Sequence, residues 1–315
     1  MSLHSLRLEQ QAGHLSKQEF TDQAHALHSL LFEYPNFMQG TDISAIEITG
    51  YGVVLTERSS AIRFRCDSRD KRTAPIETLN FGTFEREDEQ TLYKAAEGCQ
   101  TIFDIGANIG WYTLNLAKRF PNAQIHAFEP LPATFASLEL NAALNESLSV
   151  HLNSFGFSDT ERELTFYFNP ESTGSSSLAN LTGSEQAQEV ICRVKRLDDF
   201  VQALGTGPDF IKCDVEGAEL LVFRGGVKTL KQYQPVLFAE ILRKWSAKFG
   251  YHPNEILALL SNLGYLCFAS TPAGLTEIQE IDEQTVATNF VFLHQDKHAE
   301  RIAAQRIYEK QKLSL

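Results

Sequence analysis

TIFDIGANIGWYTL, Thr101–Leu114, is an apolar run that ends in an aspartate and, after one isoleucine, breaks into Gly-Ala-Asn-Ile-Gly. A strand buried on both faces has no use for a carboxylate, so Asp104 belongs near its carboxyl end. Gly106 and Gly110 cost backbone order that a tight turn or a close-approaching ligand justifies. The pattern predicts a buried strand, a turn, and a helix from Ile109 to Phe120 stopped by Pro121. In an open α/β sheet such a turn lies where ligands bind.

Outward from this unit, strands and helices alternate. QIHAFEP reads as a second strand, Pro132 to Asn145 as a helix with Phe135, Leu138 and Ala142 on one face, and LSVHLNSFGF as a third strand. RELTFYFN is a strand or hairpin arm. PESTGSSSLANLTGSE, which contains Thr173 to Leu178, reads as a flexible loop or a lid over the site. EVICRV, a short helix around LDDFVQAL and the strand DFIKCDV follow, then a helix with Leu220, Phe223, Val227 and Leu230 on one face. PVLFAEI is a further strand, Asn254 to Leu263 a helix closed by Gly264, and YLCFAS and NFVFLHQ are two last strands joined by a polar loop. This alternation implies right-handed crossovers and an α/β fold with a mostly parallel sheet, the last two strands forming an antiparallel pair at its edge.

Ahead of the alternating part, Phe20, Ala24, Leu27 and Leu31 recur at helical spacing between Lys17 and Phe32, and β-prone pieces such as YGVVL and AIRFRC run from Ile43 to Cys66. SRDKRTAP, Ser68 to Pro75, reads as a surface connection. The chain thus divides into an accessory helix-and-strand region over 1–80, an α/β domain over 81–295 and a helical tail over 296–315. Lys17 to Phe32 could pack on its own core or on a second copy of the chain, which leaves a homo-oligomer open.

The totals narrow the chemistry. In 315 residues, 28 Lys and Arg stand against 40 Asp and Glu, a formal charge of −12 that disfavours nucleic acid and anionic membrane surfaces. The expected partner is a small molecule or a glycan. Cys66, Cys99, Cys192, Cys213 and Cys267 lie far apart, with neither paired-cysteine nor zinc spacing, which fits a reduced cytoplasm. The amino terminus has no charged-then-apolar leader pattern, and no apolar run of about 18 residues occurs.

The second strand ends in Glu129, nineteen residues after Gly110. That is the spacing at which an acidic residue accepts from the ribose hydroxyls of an adenosine cofactor. A nicotinamide enzyme favours Gly-x-Gly-x-x-Gly, whose turn receives a pyrophosphate. Here the glycines are four apart with Asp104 two residues ahead, where a carboxylate repels pyrophosphate but can engage the α-ammonium of S-adenosylmethionine. Asn108 can hydrogen-bond a ligand or tolerate a left-handed turn conformation.

Taken in order, FDIGANIGWYTL, FEP, FGFSD, DFIKCDVEGAELLVFRGG and LFAEI resemble the FkbM family of S-adenosylmethionine-dependent methyltransferases, over roughly Phe81 to Gln295. The resemblance implies a Rossmann-like, seven-stranded methyltransferase sheet and O-methylation of a hydroxyl on a sugar, glycoconjugate or other natural product. By position it implies that Asp104, Gly106, Asn108 and Gly110 form the methionine-side cofactor loop, that Glu129 is the ribose acid, and that Phe157 and Ser158 flank adenine.

Methyl transfer needs a positioned nucleophile and, for an alcohol, a proton acceptor. Asp214 ends the strand IKCD, Glu216 and Glu219 open the next helix, and Glu240 ends the strand LFAE. Neighbouring parallel strand ends aim Asp214 and Glu240 at one cleft, as base or as ligands of substrate hydroxyls. The acceptor hydroxyl is expected to enter over Asp214, Glu216 and Glu240, the three candidate catalytic residues, although Glu216 and Glu219 also suit a helix start. A divalent ion held by the same pair is a further reading, not favoured because no third ligand can be named from the sequence. His252 is either a base or a turn residue before Pro253, and Lys212 either neutralises carboxylates or touches substrate. The alternatives to O-methylation are N-methylation on the same scaffold and a non-catalytic nucleotide-binding protein.

Overall fold

The computed structural model describes residues 1–168, 188–271 and 274–313. Helices α1 (Leu3–Gln11), α2 (Lys17–His28) and α3 (Tyr34–Phe37) precede a three-stranded antiparallel sheet of β1 (Ile43–Thr49), β2 (Gly52–Glu57) and β3 (Arg63–Cys66). Helices α4 (Ala74–Phe81) and α5 (Arg86–Ala96) lead to β4 (Thr101–Ile105), α6 (Trp111–Arg119), β5 (Gln124–Phe128), α7 (Pro132–Leu144) and β6 (Val150–Asn153). Then come β7 (Gly156–Phe157), β8 (Arg162–Phe168), β9 (Gln188–Lys195), α8 (Leu197–Leu204), β10 (Phe210–Cys213), α9 (Glu219–Gly225), α10 (Val227–Tyr233) and β11 (Val236–Glu240). The chain closes with α11 (Arg243–Ser246), α12 (Asn254–Ser261), β12 (Tyr265–Thr271), β13 (Gly274–Ile278), β14 (Asn289–His294) and α13 (Ala299–Leu313).

The central sheet runs β13-β12-β14-β11-β10-β4-β5-β6. From β4 the order proceeds outward through β5 and β6, then restarts at β10 on the other side, so the crevice beyond β4 and β10 is the switch point of the sheet. Side chains alternate between faces. Ile102, Ile125, Phe210 and Phe238 pack with Leu92 of α5, Leu114 of α6 and Ile302 of α13. Phe103, Ile105, Ile211 and Leu237 pack with Val201 of α8, Phe223 of α9 and Leu260 of α12. Two helical layers thus sandwich the sheet, which is why every residue of β4 and β10 is buried and all but Thr101, Asp104 and Lys212 are apolar.

The structure refines the sequence reading at three places. LSVHLNSFGF is two strands, because Phe155 and Phe157 turn away to pack on Phe128, with ring centroids 5.6 and 4.7 Å apart. EVICRV does not join the central sheet; as part of β9 it pairs with β7 and β8 in a separate three-stranded sheet. The antiparallel pair of last strands is present, but β14 inserts between β11 and β12, and the loop between them supplies β13, an eighth strand, at the edge. The tail helix is docked: Ile302 is buried and Arg301 Nη1 donates to Ala95 O at 2.7 Å. The Thr173–Leu178 lid reading falls outside the described residues.

The accessory sheet is joined to the central one by side chains. Phe64 of β3 stacks on Trp111, with centroids 4.9 Å apart. Asn141 on α7 and Asn145 at the carboxyl end of that helix cover the outer edge of β3. The Asn141 amide accepts from Arg65 N at 2.8 Å and donates to Ile109 O at 2.8 Å, while the Asn145 amide accepts from Arg63 N at 3.0 Å and donates to Arg63 O at 2.9 Å. Asn141→Ala leaves Arg65 N and Ile109 O without these buried partners. It should lower stability by about 2–4 kcal/mol, counting roughly 1–2 for each stranded group; urea unfolding with an unchanged midpoint would refute the bridging role.

Candidate active site

Asp104 and Lys212 occupy paired positions on adjacent parallel strands, so both side chains leave the same face. Lys212 Nζ lies 3.4 Å from Asp104 Oδ1, 3.3 Å from Asp214 Oδ2 and 3.4 Å from Gly106 O. Thr113 of α6 donates to Asp104 Oδ2 at 2.6 Å. Burial alone would push the Lys212 ammonium down, but the two carboxylates outweigh it and hold it above its ordinary value. Asp104 is wholly buried and does not line the cavity. The expectation that it engages a ligand's ammonium is therefore corrected: Lys212, already within the core, takes that charge, and Asp104 acts by anchoring Lys212.

Gly106, at φ +80°, tucks under the chain after β10; a Cβ there would sit 1.8 Å from Asp214 O. Gly110, at φ +92°, would meet Leu138 of α7 at 2.6 Å and does not reach the cavity, so its role is helix packing rather than ligand approach. Asn108 adopts a left-handed conformation, φ +49°, with its side-chain oxygen accepting from Ile109 N at 2.7 Å. Its own N–H donates to Glu129 Oε2 at 3.0 Å, while Leu131 N donates to Glu129 Oε1 at 2.9 Å. Glu129 thus pins the glycine turn to the loop after β5. It is only 5% exposed yet lines the cavity, and burial pushes its carboxyl up to about 7 against the pull of the two N–H groups.

The cavity at the switch point encloses about 990 Å³, counting its open mouth. Its floor is Gly106–Ile109, with Glu129, Pro130, Leu131, Thr134 and Phe166 on one side, and Lys212, Asp214, Val215, Glu216 and Glu240 on another. The remaining wall is Trp111 and Tyr112 of α6 with Arg72, Thr73, Ala74, Phe84 and Glu85. Its lining mixes apolar side chains with a few convergent polar groups, as a small-molecule site does. Among the lining groups, Thr73 Oγ1 and Thr134 Oγ1 are buried with no partner in the protein.

Asp214, Glu216 and Glu240 each bring a carboxylate oxygen to within 4.8 Å of the others. Glu216, at φ +54°, is turned inward by a loop that Glu219 holds. Glu219 Oε1 accepts from Val215 N at 3.2 Å and Gly217 N at 3.0 Å, and Tyr251 donates to Gly217 O at 2.8 Å. Burial, reinforced by the Asp214 charge, pushes Glu216 up to about 9; burial and then Asp214, Glu216 and Glu85 push Glu240 well above the usual range. Carboxyls raised this far keep their protons at neutral pH and can donate a hydrogen bond to a hydroxyl oxygen. The sequence offered two of these three as candidate cation ligands; Glu216 is the third that it could not single out. Among the described residues this is the group able to hold a metal ion.

Phe157 and Ser158 do not line the cavity. Phe157 packs among Phe128, Phe155 and Phe200, and the fully buried Ser158 meets Asp159 at 3.1 Å, so the adenine-flanking expectation is corrected to a core role. His252 is exposed on the turn into α12 and accepts from Asn254 N; it does not reach the cavity. Sequence reasoning missed Arg72, Thr73 and Glu85. The Arg-Thr-Ala-Pro run was a readable helix start, with proline in the first turn, whereas Glu85 carries no periodic or motif signal.

Burial raises Glu129 and Glu219 to about 7 from 4.5, so between those values the native protein holds protons that the unfolded chain has released. Their contribution is favourable on the acidic side and is lost as pH rises through 7. The unfolding midpoint of the ligand-free protein should therefore be higher at about pH 6 than at about pH 8; calorimetry showing the reverse would contradict these environments.

Residues 104–267 match the methyltransferase FkbM domain. Methyltransferase 1 of Beauveria bassiana is 35% identical over 145 residues, covering 39% of this chain and 57% of that protein. Methyltransferase sdnD of Sordaria araneosa is 31% identical over 193 residues, covering 52% of this chain and 73% of that protein. The 31-O-demethyl-FK506 methyltransferase FkbM of Streptomyces tacrolimicus is 28% identical over 152 residues, covering 39% of this chain and 58% of that protein. The match therefore spans little more than half the length of two of these relatives. The domain match takes in the Gly106 turn, Glu129, and the Asp214, Glu216 and Glu240 carboxylates, and with it the chain belongs to the FkbM methyltransferase family.

Proposed function

We propose that this chain moves a methyl group from S-adenosylmethionine to a hydroxyl of a sugar, glycoconjugate or other natural product. The observation that carries the reading is one cavity holding both the Gly106–Asn108 turn with Glu129 and, across from them, three convergent carboxylates. Bound there, S-adenosylmethionine would supply an electrophilic methyl group on a sulfonium. Glu129 would accept from ribose hydroxyls through the lone pairs that Asn108 and Leu131 leave free, and Gly106 and Asn108 would let the backbone lie close. Glu240 would hold the acceptor hydroxyl and Asp214 would take its proton at a carboxylate oxygen, with Glu216 keeping the pair in a poorly solvated, acidic setting. The O-methyl product is favoured by the similarity to a 31-O-demethyl-FK506 methyltransferase and by a proton acceptor at the acceptor end.

Thermal unfolding tests the cofactor. S-adenosylmethionine and S-adenosylhomocysteine should each raise the midpoint, NADH should not, and at 100 times the dissociation constant the gain is about 2.7 kcal/mol. No shift with either sulfur nucleoside would sink the proposal. Glu129→Ala should weaken S-adenosylhomocysteine binding by roughly 1–3 kcal/mol in calorimetry. Asp214→Asn should keep that affinity while abolishing most conversion of S-adenosylmethionine to S-adenosylhomocysteine with a hydroxylated acceptor; full turnover would remove Asp214 from the proton-transfer role.

A further inference from the structure

The part of the cavity wall that lies ahead of the matched domain has a charge pattern of its own. Arg72, Thr73 and Ala74 line the cavity where α4 begins, so the positive end of an eight-residue helix faces it. Thr73 holds the N-cap position but its side chain caps nothing. The residue is 8% exposed and its hydroxyl is buried without a protein partner. A buried hydroxyl with no partner is costly unless a ligand or water completes it. Arg72, whose side chain is largely exposed, is ion-paired through Nε with Glu77 of the first turn at 2.8 Å, so its guanidinium lies beside the same helix start and shares its charge with that carboxylate. A cation, a hydroxyl and a helix amino end together make a site for an anion.

Glu85 supplies the opposite sign. It lines the cavity from a left-handed backbone conformation, φ +39°, between Phe84, which packs edge-on against Trp111 at 5.8 Å, and the start of α5. Tyr112 donates to its Oε2 at 2.7 Å and so fixes the carboxylate's direction. A non-glycine residue in this conformation is strained and is kept where its surroundings demand it. Lys212, the other cation on the wall, forms its ion pairs with Asp104 and Asp214 and acts on Glu85 only at longer range.

We infer that Arg72, Thr73 and Glu85 form a subsite for a zwitterionic amino-acid group, the methionine end of the cofactor, with Arg72 and Thr73 taking its carboxylate and Glu85 its ammonium. The inference rests on the methyl-donor reading above and adds to it residues that lie outside the matched domain. It gives the accessory region a task in binding the donor rather than the acceptor.

Calorimetry with two ligands tests it. S-adenosylhomocysteine carries the amino-acid tail; 5′-methylthioadenosine has the same nucleoside and sulfur without it. At about pH 8, where Glu85 is mostly ionised, the unmodified protein should bind the first at least about tenfold more tightly. Arg72→Met, Thr73→Val and Glu85→Gln should each weaken S-adenosylhomocysteine about tenfold, the scale of one lost charge-assisted hydrogen bond, and leave 5′-methylthioadenosine within about threefold. Unchanged binding of the second ligand also shows that each variant is folded. Equal affinity for the two ligands in the unmodified protein, parallel losses in the variants, or no loss at all would overturn the subsite while leaving the methyl-donor reading intact. Failure of the unmodified protein to bind either ligand would overturn both.

Discussion

One buried ammonium organises this molecule. Lys212 Nζ touches the carboxylate of Asp104, the carbonyl of Gly106 and the carboxylate of Asp214, which places a single atom between the turn after β4 and the loop after β10. Burying a lone charge is prohibitively costly, so each partner demands the other. Removing Lys212 would strand Asp104 in an apolar face of the sheet; removing Asp104 would leave the ammonium to Asp214 and pull that carboxylate from the cavity. The two loops that meet at the switch point are thus held at a fixed separation by an ammonium that is itself almost wholly buried.

Much of this was legible in the sequence because β4 and β10 are buried on both faces, and mostly apolar runs ending in Asp104 and Asp214 leave few alternatives. The position of Glu129 was likewise set by the length of one crossover. What escaped was whatever depends on pairing across distance. The register that sets Lys212 beside Asp104 is not written in either strand, so Asp104 looked like a ligand-facing group. Phe157 and Ser158 sit at a strand end by count, but the aromatic cluster around Phe128 draws that strand out of the central sheet. Glu216 was a catalytic candidate, but that its left-handed conformation makes it a third convergent carboxylate beside Asp214 and Glu240 was not readable, and Glu85 approaches from a segment whose own pattern says only that a helix follows.

The cavity is electrostatically lopsided. Glu85, Asp214, Glu216 and Glu240 crowd one region of the wall, and burial together with the neighbouring carboxylates makes Glu85, Glu216 and Glu240 resist ionisation. Such a surface favours hydrogen-bond donors and repels anions, which suits hydroxyl-bearing molecules. The formal charge of −12 extends the same preference to the approach from solution.

The amides of Asn141 and Asn145 do for β3 what a neighbouring strand would otherwise do. An exposed strand edge is a template on which another chain can add, the usual route to sheet-mediated aggregation and swapped dimers. Here two side chains from a helix satisfy the rim of the accessory sheet, so that edge offers no ready partner to a second molecule. The helix that provides this protection begins three residues after Glu129, and loss of the cover would thus expose a sticky edge and loosen the ribose side of the cavity in one event.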